Sequence, residues 1–340
     1  MNATTANTNV KKAKWLLDDG VFFENIFEID FVIPNLVKWL NSHARRIFLV
    51  LVNIIFNHFW FWKVVGAINK RVKWIESIFL AYPANKDYTL AYGYKWQVTK
   101  TKWNPYFTGV LRQNGKWVIM FVISASNSDF RDEDNRTNLR HVVERIEFFR
   151  KIVCAERKTF AGILPGILLA YRMIRETHER ATTVDAVCLG IEDARGRECL
   201  SKETPIIILG GCGFIGRKVV EKLRQAKYTT FAVDVNGKPG SDKWPVHLRN
   251  QPVIVVNITD NGILGHYIPM FWRGTVVVNE VYPEPKAEML QQMKQTGCLV
   301  YHIVGIRGKA YPSFPHAYHG AIPCCSGHSC DGMEVVLSNL

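Results

Sequence analysis

The stretch IIILGGCGFIGRKVVEKLRQAKYTTFAVDVN, Ile206 to Asn236, reads as a strand, a glycine turn, a helix and a second strand ending in an acid. Ile206 to Leu209 is an unbroken apolar run, as expected of a strand buried on both faces. Gly211, Gly213 and Gly216 follow at GxGxxG spacing. Gly211, Cys212, Gly213, Phe214, Ile215 and Gly216 therefore form a tight turn whose backbone can approach a pyrophosphate. Ile215, Val219, Val220 and Leu223 then recur at helical spacing, which aims a helix N-terminus at the phosphates, where free N–H groups and the helix dipole favour an anion. Asp234 ends the next strand, where a carboxylate accepts from a ribose 2′-hydroxyl. The pattern predicts a cofactor site for NAD(P)H. Asp234 would repel a 2′-phosphate, which Lys238 and Lys243 offset only in part, so NAD(H) is favoured. A Rossmann-like core that binds nothing is the alternative.

The α/β alternation continues on the C-terminal side. PVIVVNIT and GTVVVNEV read as buried strands, PKAEMLQQMKQT as a helix, CLVYHIVGI as another strand, and HAYHGAIPCCSGHSCDGMEVVLSNL as a loop with a final helix. Asn257 and Thr259 stand at the end of a central strand, where side chains face a nicotinamide crevice or serve the structure alone. Upstream, the charged ARGRECLSKETP marks a boundary. Before it, YFTGVLRQNGKWVIMFVI holds two β-rich runs around Asn114-Gly115, a type I′ hairpin signal. Leu139, Val142, Val143, Ile146, Phe149, Ile152 and Val153 form an apolar helical stripe. KTFAGILPGILLAYRMI reads as a strand, a turn around Pro165 and a helix, and ATTVDAVCLGIEDA as a helix with Thr182 or Thr183 near its start. The expected fold class is α/β: a helical segment over residues 1–80, a smaller α/β substrate domain over 81–200, and a Rossmann-type parallel sheet over 201–340.

A length of 340 residues allows two cores. The net charge of +13 and its even spread suit an anionic partner such as a phosphorylated cofactor, an acidic protein or an anionic membrane surface. No nucleic-acid-binding motif is present, so nucleic acid ranks last. The first 20 residues are polar and carry no signal-peptide core, which predicts a cytoplasmic protein whose eight cysteines are thiols. Ile47 to Trp62 is the most apolar segment, and Arg45, Arg46, Lys63, Lys70, Arg71 and Lys73 flank it. Three readings fit: a buried helix or homo-oligomer interface, a helix lying peripherally in the cytoplasmic face of a membrane, and a transmembrane span, which ordinarily needs about 20 residues.

From Tyr88 to Leu340 the order of parts resembles the long-chain acyl-carrier-protein reductases that form fatty aldehydes, within the group with shikimate dehydrogenase-like and glutamyl-tRNA reductase-like nucleotide domains. The resemblance rests on TGVLRQNGKWVIMFVI, the helix leading to FAGILPG, ATTVDA, GGCGFIG, the NIT strand end, GTVVVNEVYPEP and a cysteine in SCDGMEVVL. It implies a two-domain α/β fold, NADPH and an acyl-CoA or acyl carrier protein as partner. Ile167, Leu168 and Leu169 stand after AGILPG where shikimate dehydrogenases carry a lysine, which argues against chemistry on shikimate. TTVDAV also lacks the longer glycine- and asparagine-containing turn of the acyl reductases.

Reduction of a thioester to an aldehyde needs a nucleophile that is also a good leaving group, and cysteine is both. Cys330 is the first candidate, because it precedes the expected final helix, whose dipole would lower its pKa, and because the resemblance places a cysteine there. Cys324 and Cys325 are the fallback. His316, His319 and His328 share the loop and offer acid–base groups. Their spacing with the cysteines matches no regular zinc module, so no metal is expected. The alternatives are an oxidoreductase acting on a small polar metabolite and a membrane-associated nucleotide-binding or sensor protein without catalysis.

Overall fold

The computed structural model describes residues 29–56, 58–84, 89–90, 92–234, 239–314, 320–326 and 332–340, with side chains from residue 40 onward. Two helices open the chain, α1 (Ile29–Phe56) and α2 (Phe59–Val72), meeting at 84°. No single helix among the described residues is long and apolar enough to cross a membrane. β1 (Ile75–Ala81), β2 (Tyr106–Gln113), β3 (Lys116–Val122), α3 (Arg136–Val153) and β4 (Arg157–Phe160) follow. Asn114 and Gly115 both take positive φ, the hairpin geometry that an Asn-Gly pair favours. β1 runs parallel to β3 and β4, and β2 is antiparallel to β3. Side-chain alternation divides this sheet. Ile119 and Phe121 face α2 and α3, whereas Val118 and Met120 face the opposite side.

The two helices on the first face meet at backbone contact. A Cβ on Gly66 of α2 would strike the Ile152 carbonyl of α3. One turn further on, Asn69 donates to Val153 O and Cys154 O at 3.2 and 3.1 Å, so it supplies partners at the end of α3.

α4 (Glu179–Arg197) leads to the second sheet, with β5 (Ile206–Leu209), α5 (Gly216–Gln225), β6 (Thr230–Val233), β7 (Val253–Asn257), α6 (Asn261–Tyr267), β8 (Thr275–Asn279), α7 (Ala287–Gln295) and β9 (Leu299–Arg307). Their order is β9-β8-β7-β5-β6, all parallel. α4 and α5 cover one face, α6 and α7 the other. β5, β7 and β8 are therefore buried at every position, as their Ile/Val runs require. The winding reverses between β5 and β7, and the crevice at the C-terminal ends of these strands is where such sheets bind ligands.

β10 (Lys309–Tyr311) returns to the first sheet and pairs with β2. β11 (Ala321–Ile322) and β12 (Val335–Asn339) run antiparallel to β9. The expected final helix is therefore a strand. The short apolar run Val335 to Leu337 cannot separate helix from strand by periodicity, and the unpaired edge of β9 decides in favour of ladder hydrogen bonds.

Gly66→Ala is expected to lower stability by about 1–3 kcal/mol through forced separation of α2 from α3, read as a fall in Tm by calorimetry. A Tm equal to that of the parent would mean that the helices re-space freely.

Candidate active site

The turn after β5 is shaped by three glycines with different duties. A Cβ on Gly211 would come within 2.7 Å of Ala232 Cα, and one on Gly216 would strike the Gly210 carbonyl, so both are held by backbone packing. A Cβ on Gly213 would meet only Gly210 O at 3.0 Å. Gly213, Phe214, Ile215 and Gly216 border the cavity between the two sheets. Gly211, Cys212 and Asp234 are not in its wall. Cys212 N donates to Asp234 Oδ2 at 3.2 Å, and Asp234 N donates to Ser241 Oγ at 3.0 Å.

Two cations stand at this turn. The Arg180 guanidinium lies 4.3 Å from the centre of the Phe214 ring. Burial and then the neighbouring Arg217 charge hold its pKa below the ordinary value, and its buried Nε has no partner among the described residues. Two guanidiniums kept together beside the N-terminus of α5 fit the charge of a dinucleotide pyrophosphate. Thr259 borders the cavity. Asn257, fully buried, gives its Nδ2 to Asn279 Oδ1 at 2.7 Å and accepts from Thr259 N at 3.2 Å. Asn279 Nδ2 in turn lies 2.9 Å from His302 Nδ1. This row of side chains ties the ends of β7 and β8 to the middle of β9, and burial lowers the His302 pKa.

The cavity has a volume of about 1170 Å³. Thr108 and Met120 of the first sheet line it together with Thr183, Glu280, Cys324 and Cys325. The two cysteines open a single helical turn, Cys324–Ser326, packed against α4. Cys324 Sγ is 3.6 Å from Thr183 Oγ1. The hydrogen bond from the Cys325 thiol, opposed by burial and aided by Thr183, takes the Cys324 thiol below its ordinary pKa. The same hydrogen bond, followed by burial, pushes Cys325 well above. The pair titrates as a unit, with its first proton leaving Cys324. Thr183, in the opening turns of α4, can return a hydrogen bond to the thiolate near the positive end of that helix.

Two carboxyls and a phenol share the space. Burial, and next the Cys324 charge, raise Glu280 well above the ordinary range. Burial pushes Glu179 up to about 7, against hydrogen bonds from backbone amides including that of Phe160. Its Oε1 accepts from Phe160 N at 3.3 Å and its Oε2 has no partner among the described residues. Tyr82 is pushed up to about 12 by burial, and its oxygen accepts from Ile163 N at 3.0 Å.

Cys324, Cys325 and the second half of the glycine turn thus border one space. Cys330, His316, His319 and His328 lie outside the described residues, as does Lys238. The helix invoked to activate Cys330 is, over Val335–Asn339, the strand β12. Among the described residues, no group of three or more His, Cys, Asp or Glu side chains is placed to hold a metal ion. Sequence reasoning missed Glu179, Glu280 and Tyr82. Glu280 had a signal, an acid directly after the buried strand TVVVN, whereas Glu179 reads as an ordinary charge in the first turn of a helix.

No protein-family model matches the chain, and no curated protein does. Among solved structures it is similar to shikimate dehydrogenase from Aquifex aeolicus, at 11% identity and a TM-score of 0.39, over 66% of this chain and 85% of that one. It is also similar to L-tryptophan dehydrogenase from Nostoc punctiforme, at 14% identity and a TM-score of 0.33, over 66% of this chain and 69% of the other. Shikimate 5-dehydrogenase from Listeria monocytogenes, in complex with shikimate and NAD, aligns at 11% identity and a TM-score of 0.33, over 67% and 86%.

Glu179 makes stability pH-dependent with a defined sign. Its folded pKa of about 7 exceeds the ordinary 4.5, so the folded chain holds the extra proton and stability falls as pH rises between these values. At about 1.36 kcal/mol per pH unit the loss comes to about 3 kcal/mol. Glu179→Gln keeps the hydrogen bond from Phe160 N and should gain on the parent by that order between pH 5 and pH 8 in urea unfolding. Parallel pH profiles would place Glu179 in contact with water.

Proposed function

We propose that the chain is an NAD(P)H-dependent oxidoreductase that reduces a fatty acyl thioester to an aldehyde through an acyl group held on Cys324. The observation that carries this reading is the shared cavity: the vicinal thiols and the nucleotide turn border one space, between two carboxyls of raised pKa.

Cys324, as thiolate, attacks the thioester carbonyl carbon, and the carrier thiolate leaves with the proton that neutral Glu280 holds beside Cys324. Thr183 Oγ1 orients the attacking sulfur. Arg180 and Arg217, beside the N-terminus of α5, would hold the pyrophosphate, and Gly213 would leave room for it. The nicotinamide, when bound, supplies the hydride that brings the acyl group to the aldehyde level, with Cys324 released as thiolate. Cys325 keeps its proton and its hydrogen bond to Cys324 Sγ throughout. Phe79, Met120, Val122, Ile163 and Phe314 give the cavity an apolar wall that suits an alkyl chain better than a small polar metabolite. The net charge of +13 complements acyl-CoA or an acidic acyl carrier protein. Asp234 at the end of β6 supports NAD(H) over NADP(H), since a carboxylate there opposes a 2′-phosphate.

Titration calorimetry tests the cofactor. Gly213→Val should abolish binding, and Asp234→Ala should weaken NAD(H) more than NADP(H). A parent that binds neither would leave the Rossmann sheet a scaffold, and a parent preferring NADP(H) would remove the role given to Asp234.

Incubation with palmitoyl-CoA without cofactor should add one acyl group to Cys324 by peptide mapping, discharged as aldehyde when NADH or NADPH is added. Cys324→Ser should lower turnover by at least about 100-fold, because an unactivated hydroxyl is a poor nucleophile at neutral pH. An adduct on Cys330 would transfer the role to that residue, and no adduct or aldehyde at any chain length would favour the small-metabolite or sensor alternatives.

A further inference from the structure

The first sheet carries a second cavity on the face turned away from the thiols. It lies between α1, α2 and the strands, with a volume of about 760 Å³ and a wall of Phe56, Val65, Val110, Trp117 and Ile119. Among the described residues, Asn69 is the one amide in this wall. Its Nδ2 donates to Ile75 O at 2.8 Å and its Oδ1 accepts from Ile75 N at 2.7 Å, so its polar atoms are already engaged. A space of this size lined by hydrocarbon offers nothing to water or to a polar ligand, and it is large enough for an alkyl chain.

The cavity opens onto an unusual surface. Among the described residues, most large apolar side chains that remain exposed lie between Leu40 and Trp74, including Phe48, Leu51, Ile55, Phe59, Trp60 and Ile68. Scattered exposed apolar residues need no explanation, but a contiguous set marks a contact surface. Charge narrows the choice of partner. No Asp or Glu occurs between Asp30 and Glu76. Exposed Lys63, Lys70, Arg71 and Lys73 lie along α2 and its end. Lys116, whose Nζ reaches Lys73 O at 3.0 Å, and Arg112, 5.4 Å from the Trp117 ring centre, add charge beside the cavity mouth. Lys63 Nζ lies 4.8 Å from the centre of the exposed Phe59 ring, an arrangement in which the ammonium stays in water while the ring enters an apolar phase. A second copy docked about a two-fold axis would bring these like charges together. An anionic lipid surface meets both the apolar side chains and the cations.

We propose that the α1–α2 face docks on an anionic lipid bilayer and that the cavity behind it takes one acyl chain of a docked lipid. The site is separated from the thiols by the first sheet, so it stands or falls independently of the reductase reading.

The full chain should pellet with phosphatidylcholine vesicles containing a third phosphatidylserine at low salt, much less with phosphatidylcholine alone, and in part be released by 0.5 M salt. Phe59→Ser with Trp60→Ser, at positions 57% and 55% exposed, should weaken pelleting about tenfold or more while leaving Tm unchanged. Native mass spectrometry of chain re-isolated from the vesicles should find one phospholipid, lost in Val65→Phe, whose ring fills the cavity while vesicle binding persists. Three outcomes overturn the proposal: no pelleting at low salt, equal pelleting of the double variant, or a dimer in solution that the double variant dissolves. Vesicle binding without retained lipid overturns the role of the cavity.

Discussion

The first turns of α4 join the two sheets, and the rest of the molecule is arranged around that joint. Ala186 packs with Phe79, Leu111 and Met120 of the first sheet. Val184, Val187, Ile191 and Ala194 seal one face of the second. At the start of the same helix Glu179 is 2% exposed and reaches Phe160 N at the end of β4. One helix packed into both cores ties the two sheets together beside the cavity. The buried carboxyl is a standing destabilisation at neutral pH, accepted where it keeps a titratable group at the joint.

The chemistry of the site follows from that joint. Thr183 faces the Cys324–Ser326 turn because α4 packs against it. A lone buried thiol is usually raised in pKa, as Cys188 and Cys298 are by burial. Cys324 departs from that rule because its neighbour Cys325 donates to it, and Cys325 is raised in compensation. Adjacent thiols thus divide one titration into an early and a late step. The early step belongs to the sulfur beside a helix N-terminus.

Two cavities flank the first sheet, and strand alternation, shifted at the bulge in β2 between Phe107 and Gly109, separates them. Thr108, Met120 and Val122 turn toward the thiol cavity, while Val110, Trp117 and Ile119 turn toward the cavity beneath α1 and α2. The close approach at Gly66 anchors α2 to α3. The other side of α2 keeps its apolar side chains exposed.

What the sequence by itself determined is local. The glycine turn, the buried strands IIIL, VIVVN and TVVVN, the Asn114-Gly115 hairpin and the amphipathic helix Arg136–Val153 each follow from patterns within a few residues. Steric limits and side-chain periodicity act at that range. The element at Val335–Asn339 was not legible, because its strand state depends on the edge of β9, some thirty residues away in sequence. Nor were the roles of Glu179, Glu280 and Tyr82, whose proton affinities are set by burial among side chains from both sheets. Tertiary structure also turned Asn257 into a buried tie to Asn279 and placed Cys324 opposite Thr183. Hydrogen bonding and desolvation at these positions belong to groups distant in the chain, and no local pattern encodes them.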